Sequence, residues 1–257
     1  MSERRVAIDV SADIGERDGS AGRAHDGRIL EYISSASIAC GFHAGDAKSM
    51  RETVTLCAGA GVAIGAHPSY LDKDGFGRVE GYLSTVEIRR HVGLQVVMLS
   101  DICRAMNVRL RFVKPHGALY NRAATDPAAA DAIASAISEI DKSLTLLGLA
   151  GSEMIRAAAR FGLPVAREAF LDRAYTPQGT LVPRSVPNAV FTDPKIVVRR
   201  ALDLVRENTL FAIDGTPLRI VADSLCIHGD GEHSIEFAAA VREGLEAEGL
   251  DVAAFSA

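Results

Sequence analysis

The sequence predicts an α/β protein with one (βα)-barrel-like domain over residues 1–257 and about seven parallel strands. Seven short apolar runs alternate with longer helical stretches, and no linker-like segment separates them. Polar residues follow the C-terminal ends of six of the seven runs. An open doubly wound sheet is the alternative architecture, because hydrophobic periodicity does not reveal whether a sheet closes.

The predicted strands are mostly continuous apolar runs, as expected for parallel strands that are covered on both faces. They span residues 6–14, 35–40, 62–67, 110–115, 143–150, 164–170 and 224–228.

Capping residues mark the starts of several predicted helices. The stretch STVE at 84–87 is a capping box that opens a helix reaching about Asn107. Asp126-Pro127 and Asp193-Pro194 each place an N-cap residue before a proline at the first helical position. These signals support the alternation of strands and helices.

Two stretches interrupt the alternation. Residues 172–188 form a long loop with Pro and Gly, longer than an ordinary connector. Residues 211–220 contain DGTP and predict a small β-hairpin inserted before the last strand.

Composition narrows the classes of partner and compartment. The formal charge is −5 and no basic cluster is present, so neither nucleic acid nor an anionic membrane is expected as a partner. The N-terminal stretch MSERRVAIDVSADIG lacks the apolar region of a secretory signal. The four cysteines form no CxxC pair and lie in apolar contexts, which predicts reduced core thiols in a cytoplasmic protein.

Polar and titratable side chains collect just after the predicted strands, where glycine or proline usually flanks them. Parallel strands point their C-terminal ends at one face, so we expect these side chains to converge in a shared pocket. The residues are Asp13, Glu16, His43, Asp46, His67, Arg78, Lys114, His116, Tyr120, Asn121, Glu168, Asp172, Arg173, His228 and Asp230.

Several of these residues also have a purely structural interpretation. Asp46 precedes a helix and is a natural N-cap. His67 at a strand end is compatible with a hydrogen-bonded structural histidine. Asp172 and Arg173 are compatible with an ion pair that orders a loop, and Lys114 with a rigid turn before proline.

Nine blocks resemble, in order and spacing, those of the LamB/YcsF family, the A subunits of 5-oxoprolinase. The resemblance runs from about Ile8 to His233. The blocks are SADIGE, ASIACGFHAGD, GVAIGAHPSY, DGFGR, VKPHGALYN, LLGLAGSE, REAFLDRAY, GTLVPRS and CIHGDGEH. Two positions depart from the family pattern: Ser11 stands where the family usually has Asn, and Arg17 stands where Gly is common.

The resemblance implies a barrel-like fold related to glycoside hydrolases and deacetylases. It also implies one component of an ATP-dependent 5-oxoprolinase, which opens the cyclic amide 5-oxo-L-proline to L-glutamate together with partner subunits B and C. The chain contains no GxxxxGK[ST] phosphate loop, and its glycine-rich stretches GLAGSE and HGDGEH lack the lysine. We therefore expect ATP to be handled with the partner subunits.

For a lactam substrate, the strand-end residues divide into two predicted groups. In the catalytic group, Asp13 or Glu16 would be the general base, His43 and His67 would orient water or polarise the carbonyl, and His116 would protonate the ring nitrogen; Asp46 completes this group. The predicted substrate-binding residues are Lys114, Arg78, Tyr120, Asn121, Glu168, Asp172, Arg173, His228 and Asp230, with Lys114 and Arg173 neutralising a carboxylate or phosphoryl group.

A divalent metal is a further possibility. Asp13, His43 and His67 supply one carboxylate and two imidazoles, although no HxxxH or HExxH spacing supports the set. Two alternatives to the 5-oxoprolinase role therefore stay open. One is a stand-alone metal-dependent amide or deacetyl hydrolase, and the other is a non-catalytic subunit that binds ligand.

Overall fold

The computed structural model describes residues 7–229, 231 and 233–255. Its main sheet contains the strands β1 (Ala7–Ile14), β2 (Ser35–Ala39), β3 (Ala63–His67), β4 (Leu110–Val113), β5 (Thr145–Leu149), β6 (Val165–Phe170), β9 (Ser224–Ile227) and β10 (Asp251–Val252). The first six of these and β9 pair in parallel in the order β1-β2-β3-β4-β5-β6-β9. Since β1 also pairs with β9, the seven strands close into a barrel, and the open-sheet alternative is wrong. The short β10 lies beside the start of β1.

Helices surround the barrel between the strands. They are α1 (Gly19–Ile29), α2 (Ala47–Ala60), α3 (Thr85–Ala105), α4 (Gly117–Thr125), α5 (Pro127–Ile140), α6 (Glu153–Phe161), α7 (Pro194–Glu207) and α8 (Ser234–Ala247). The predicted helix starts are confirmed: Ser84 and Glu87 form the capping box of α3, and Asp126 and Asp193 cap α5 and α7 ahead of their prolines.

The strands carry two kinds of side chain. On β1, Val10, Ala12 and Ile14 belong to the hydrophobic core shared with the helices. The alternate residues Asp9 and Asp13 instead contact Ser224 on β9 and Lys114 just after β4, because successive side chains of a strand point to opposite faces. The predicted strands are therefore covered on both faces, but part of the inner face is polar.

A small apolar cluster in the barrel interior contains Phe112, Leu147 and Ala166. Phe112 explains a glycine on the neighbouring strand: a Cβ atom on Gly65 would lie 2.1 Å from the Phe112 ring. The cluster and Gly65 therefore pack β3, β4, β5 and β6 against one another.

The segment between β6 and α7 crosses the barrel mouth. Two isolated antiparallel bridges, Arg173 with Val190 and Tyr175 with Leu181, fold it back on itself. Further along, β7 (Thr209–Phe211) and β8 (Pro217–Arg219) form an antiparallel pair.

The four cysteines are buried and free, as predicted. Within the described residues, no helix combines the length and apolar character that crossing a bilayer requires.

Candidate functional site

A cavity of about 340 Å³ opens at the C-terminal ends of the barrel strands. Convergence at this face is the arrangement expected for a barrel. Of the predicted site residues, its lining includes Asp13, His67, Arg78, Lys114, His116, Tyr120, Asn121, Arg173 and His228.

The buried Lys114 is the centre of one group in this cavity. Its Nζ lies 2.8 Å from Asp13 Oδ1 and 2.9 Å from Glu168 Oε1. Tyr120 donates its hydroxyl to the other Glu168 oxygen at 2.7 Å. We call Asp13, Lys114, Tyr120 and Glu168 the lysine network; it joins β1, β6 and the segment that follows β4.

The charges within the lysine network keep its central pair ionised. Burial alone would raise the pKa of Asp13, but its interactions with His67 and Lys114 hold that pKa well below its usual range. Burial alone would lower the pKa of Lys114, but the Asp13 carboxylate raises it well above the usual value. Burial and the Glu168 charge raise the pKa of Tyr120, so its phenol remains a donor.

Four side chains beside this network converge on one point. Glu16 Oε1 lies 3.0 Å from His43 Nε2, 3.8 Å from His67 Nε2 and 3.4 Å from His116 Nδ1. His67 Nε2 and His116 Nδ1 are 2.9 Å apart. We call Glu16, His43, His67 and His116 the histidine cluster. One ligand atom from each lies within 4.8 Å of the others, so the group could hold a metal ion.

The remaining nitrogen of each imidazole is fixed by the protein. His67 Nδ1 contacts the Lys114 carbonyl at 2.7 Å, and His116 Nε2 contacts the carbonyl of Phe76 at 2.9 Å. His43 Nδ1 contacts Ser69 Oγ at 2.8 Å. Burial lowers the pKa of His43 and of His116 well below the usual range, which favours their neutral rings.

The histidine cluster lies between two cavities. His67 and His116 line the cavity at the barrel mouth, whereas Glu16 and His43 line a second cavity of about 460 Å³ beside the starts of α1 and α2. Glu16 and His43 therefore belong to the site, but on the side of the cluster away from the lysine network.

Asp46 lies apart from both groups. It is exposed, its carboxylate accepts hydrogen bonds from the backbone of Lys48 and Ser49, and it forms a capping box at the start of α2. The hydrogen bond from the Ser49 backbone is the main reason that its pKa is lowered. The structural interpretation as an N-cap is confirmed.

At the opposite wall, the predicted pairing of Asp172 with Arg173 is wrong. Asp172 instead accepts a 2.8 Å hydrogen bond from His228, whose ring stacks on Phe170. Arg173 donates to the carbonyls of Val182 and Ala189, and this is how it orders the loop. Asp230 lies outside the described residues.

Several residues of the site were missed by the sequence reasoning. Phe76 has a left-handed backbone (φ 55°), and its ring packs edge-on against His43 and His116. Arg184 lines the barrel-mouth cavity, and Cys226 lies 3.1 Å from Lys114 Nζ. The glycine-flanked Phe76 in DGFGR and the Pro-Arg pair in LVPRS were available signals, whereas Cys226 was read only as a core thiol.

Two of the three predicted metal ligands belong to the histidine cluster. His43 and His67 are members of the histidine cluster, but Glu16 and His116 complete it rather than Asp13. Asp13 Oδ2 lies 3.4 Å from His67 Nε2, while its other oxygen contacts Lys114.

The chain resembles known proteins over nearly its whole length. Residues 8–257 match the model of the LamB/YcsF family. A curated relative from Brevibacillus brevis, named as the A subunit of 5-oxoprolinase, is 46% identical over 247 residues, which are 96% of this chain and 97% of the relative.

Solved structures extend the comparison. A lactam utilization protein from Thermus thermophilus superposes with a TM-score of 0.91 at 44% identity, covering 97% of this chain and 100% of that one. The catalytic domain of a peptidoglycan N-acetylglucosamine deacetylase from Eubacterium rectale has a TM-score of 0.52 at 9% identity, covering 100% of this chain and 91% of that one. The second likeness concerns the fold alone, and it agrees with the deacetylase-type barrel predicted from the sequence.

Proposed function

Because this chain belongs to the LamB/YcsF family, we propose that it is the lactam-binding component of an ATP-dependent 5-oxoprolinase, which opens 5-oxo-L-proline to L-glutamate. The observation that carries the proposal is the barrel-mouth cavity, which combines a cationic wall with a buried Asp-Lys pair. A lactam that bears a carboxylate needs both features: a cation for its carboxylate and polar groups for its amide.

The cationic wall supports binding of an anion. Arg78, Arg173 and Arg184 all line the cavity. Burial, followed by repulsion from Arg184, lowers the pKa of Arg173 to about 10. An anionic group placed beside these guanidinium groups would relieve that repulsion, and guanidinium groups can bind carboxylates through two hydrogen bonds.

The lysine network supports the chemistry at the amide. Asp13 faces the cavity and stays ionised, so it can accept a hydrogen bond from an attacking water and orient it. The Lys114 ammonium offsets the negative charge of the phosphoryl group on the activated substrate oxygen. We choose Asp13 over Glu16 as the base because only Asp13 lines this cavity, whereas Glu16 faces the second one.

We reassign the acid role that the sequence suggested for His116. One of its ring nitrogens contacts the Phe76 carbonyl and the other points into the histidine cluster, so both are engaged within the protein. Lys114 lines the cavity and stays protonated, so we assign it as donor to the departing ring nitrogen; this role requires it to exchange one of its contacts with Asp13, Glu168 and Cys226 for the substrate.

The requirement for ATP follows from the stability of the amide. A lactam is resonance-stabilised, and phosphorylation of its oxygen by ATP would make the ring carbon a better electrophile. Addition of one water and cleavage of the C–N bond would then give an acyl phosphate, and a second water would release phosphate and leave L-glutamate. Because the sequence has no phosphate loop with its lysine, we propose that subunits B and C supply the nucleotide chemistry.

The test is reconstitution of the complex with subunits B and C. We expect glutamate release from 5-oxoproline that requires ATP, and loss of at least about 100-fold in turnover for Asp13→Asn. Asp46→Asn is the matched control, since this exposed N-cap should retain turnover. The proposal fails if the folded complex releases no glutamate with ATP, or if Asp13→Asn is fully active.

The histidine cluster favours one alternative, a metal-dependent amide hydrolase that acts alone. The same assay separates the two, because this alternative predicts glutamate release by the isolated chain without ATP.

A further inference from the structure

We infer that the histidine cluster binds one divalent transition-metal ion of the zinc class through His43 Nε2, His67 Nε2, His116 Nδ1 and Glu16 Oε1. This inference concerns the chain's own donor atoms and does not depend on the lactam assignment. Three imidazoles and one carboxylate are a donor set suited to zinc and its neighbours.

The first argument is the position of the protons on two rings. A carbonyl oxygen only accepts hydrogen bonds, so the contacts to the carbonyls of Lys114 and Phe76 place N–H groups at His67 Nδ1 and His116 Nε2. In neutral rings the opposite nitrogens are then lone-pair acceptors. These two acceptors, His67 Nε2 and His116 Nδ1, face each other at 2.9 Å.

The ring of His43 adds another acceptor atom that faces an acceptor. When the Ser69 hydroxyl donates to the Tyr70 carbonyl, which lies 2.9 Å away, His43 Nδ1 is the donor in its contact with Ser69. His43 Nε2 is then also an acceptor, and it lies 3.0 Å from the Glu16 carboxylate, which accepts as well. Four acceptor atoms thus converge, and a shared cation satisfies all of them at once.

A single proton does not resolve this arrangement. Placed between His67 and His116, it satisfies their contact but leaves His43 Nε2 facing Glu16 Oε1. A metal ion accepts electron pairs from several donors and therefore removes both conflicts.

The spacing of the donors also fits one ion. Ligand atoms about 2.0–2.1 Å from a tetrahedral metal lie about 3.4 Å from one another. The separations from Glu16 Oε1 are 3.0, 3.4 and 3.8 Å, and that between His67 and His116 is 2.9 Å. These distances bracket the expected value. The rings of His43 and His116 are stacked in nearly parallel planes with their centroids 3.9 Å apart, so binding one ion requires one of these two rings to rotate.

The second nitrogen of each imidazole contacts an oxygen of the protein. In metal-binding histidines this nitrogen commonly donates to a carbonyl or another oxygen. Phe76, Lys114 and Ser69 supply these oxygens. Asp13 stays outside the donor set because Lys114 engages it.

The test is metal binding by the full chain after removal of metal with a chelator. Equilibrium dialysis with Zn²⁺ and with Co²⁺ should give one ion per chain, and bound Co²⁺ should show visible absorption. We expect His116→Ala and Glu16→Gln to lower the affinity at least about 100-fold, because even partners of ligands typically contribute 10–100-fold. Ser69→Ala keeps all four donors and should lower the affinity by about 10–100-fold.

The control is His233→Ala, which removes an exposed histidine outside the cluster and should leave the affinity unchanged. Circular dichroism of the metal-free variants tests whether they remain folded. The inference is overturned if the wild-type chain binds no stoichiometric metal, or if folded His116→Ala and Glu16→Gln bind as tightly as wild type. Neither result bears on glutamate release by the complex, so the two proposals fail separately.

Discussion

The lysine network and the histidine cluster lie side by side at the barrel mouth, are both buried, and satisfy their polar atoms differently. In the lysine network, a cation lies between two carboxylates and a phenol donates to one of them. In the histidine cluster, the hydrogen bonds around the rings turn four acceptor atoms toward one another. Within the described residues, the charges of the first group are paired with one another, whereas the second group is the one for which we infer a bound cation.

This difference shows that burial alone does not identify the role of a titratable residue. Buried charges are tolerated when they are paired and hydrogen-bonded, as Asp13 and Lys114 are. A set of convergent acceptors is costly unless something binds there.

Removing Lys114 should have the largest effect on stability. Lys114→Met leaves two buried carboxylates, Asp13 and Glu168, without their cation, so the free energy of unfolding should fall by about 3–5 kcal/mol. Urea unfolding at neutral pH measures the change. Lys48→Met is the control, because this exposed lysine should alter stability by less than about 0.5 kcal/mol. If Lys114→Met lowers the free energy of unfolding by less than about 1 kcal/mol, the Lys114 ammonium does not stabilise the buried carboxylates.

Asp9 is a buried carboxylate that is surrounded by serine hydroxyls rather than by a cation. Its oxygens accept hydrogen bonds from Ser34, Ser35 and Ser224, but burial outweighs them and raises its pKa to about 6 from an ordinary 3.8. The folded state therefore binds this proton more tightly than the unfolded state does. Its stabilising contribution is fully present below about pH 4 and is lost as the pH rises through 6, a change of roughly 3 kcal/mol.

Asp9→Asn should remove this pH dependence, because the amide has no proton to lose over this range. As the pH rises from about 4 to 7, the free energy of unfolding of the variant should therefore increase by roughly 3 kcal/mol relative to that of wild type. Urea unfolding at several pH values compares the two proteins. Stability curves that run parallel across this range would contradict the assignment of the pKa to Asp9.

The smallest effect is expected at Asp46, three residues after His43 in the sequence but outside the cluster. Asp46→Ala removes the N-cap of α2 and should lower the melting temperature by roughly 2–4 °C. Metal affinity and turnover of the complex should remain unchanged, and both are measured beside the melting curve. A loss of metal binding in this variant would extend the site to the helix start.

Sequence reasoning predicted the fold more completely than the site. Continuous apolar runs and capping residues such as Ser84 are local signals, and they identified the seven barrel strands and several helix starts. The strand-end positions of Asp13, His67 and Lys114 likewise predicted that these residues meet. Their partners were less predictable: Asp172 pairs with His228 rather than Arg173, and Phe76 and Ser69 orient the histidines. Those contacts join residues far apart in the chain, and no local pattern records them.

The positions of the strands and helices, and the polar residues that reach the mouth, follow from short segments of the chain, because periodicity, capping and strand direction are local properties. Only the tertiary structure decided that the sheet closes, and that Asp13 pairs with Lys114 while Glu16 joins His43, His67 and His116. The physical reason is that strand register and hydrogen-bond partners are set by packing between distant segments. The same carboxylate or imidazole can therefore be a paired charge in one place and a ligand in another.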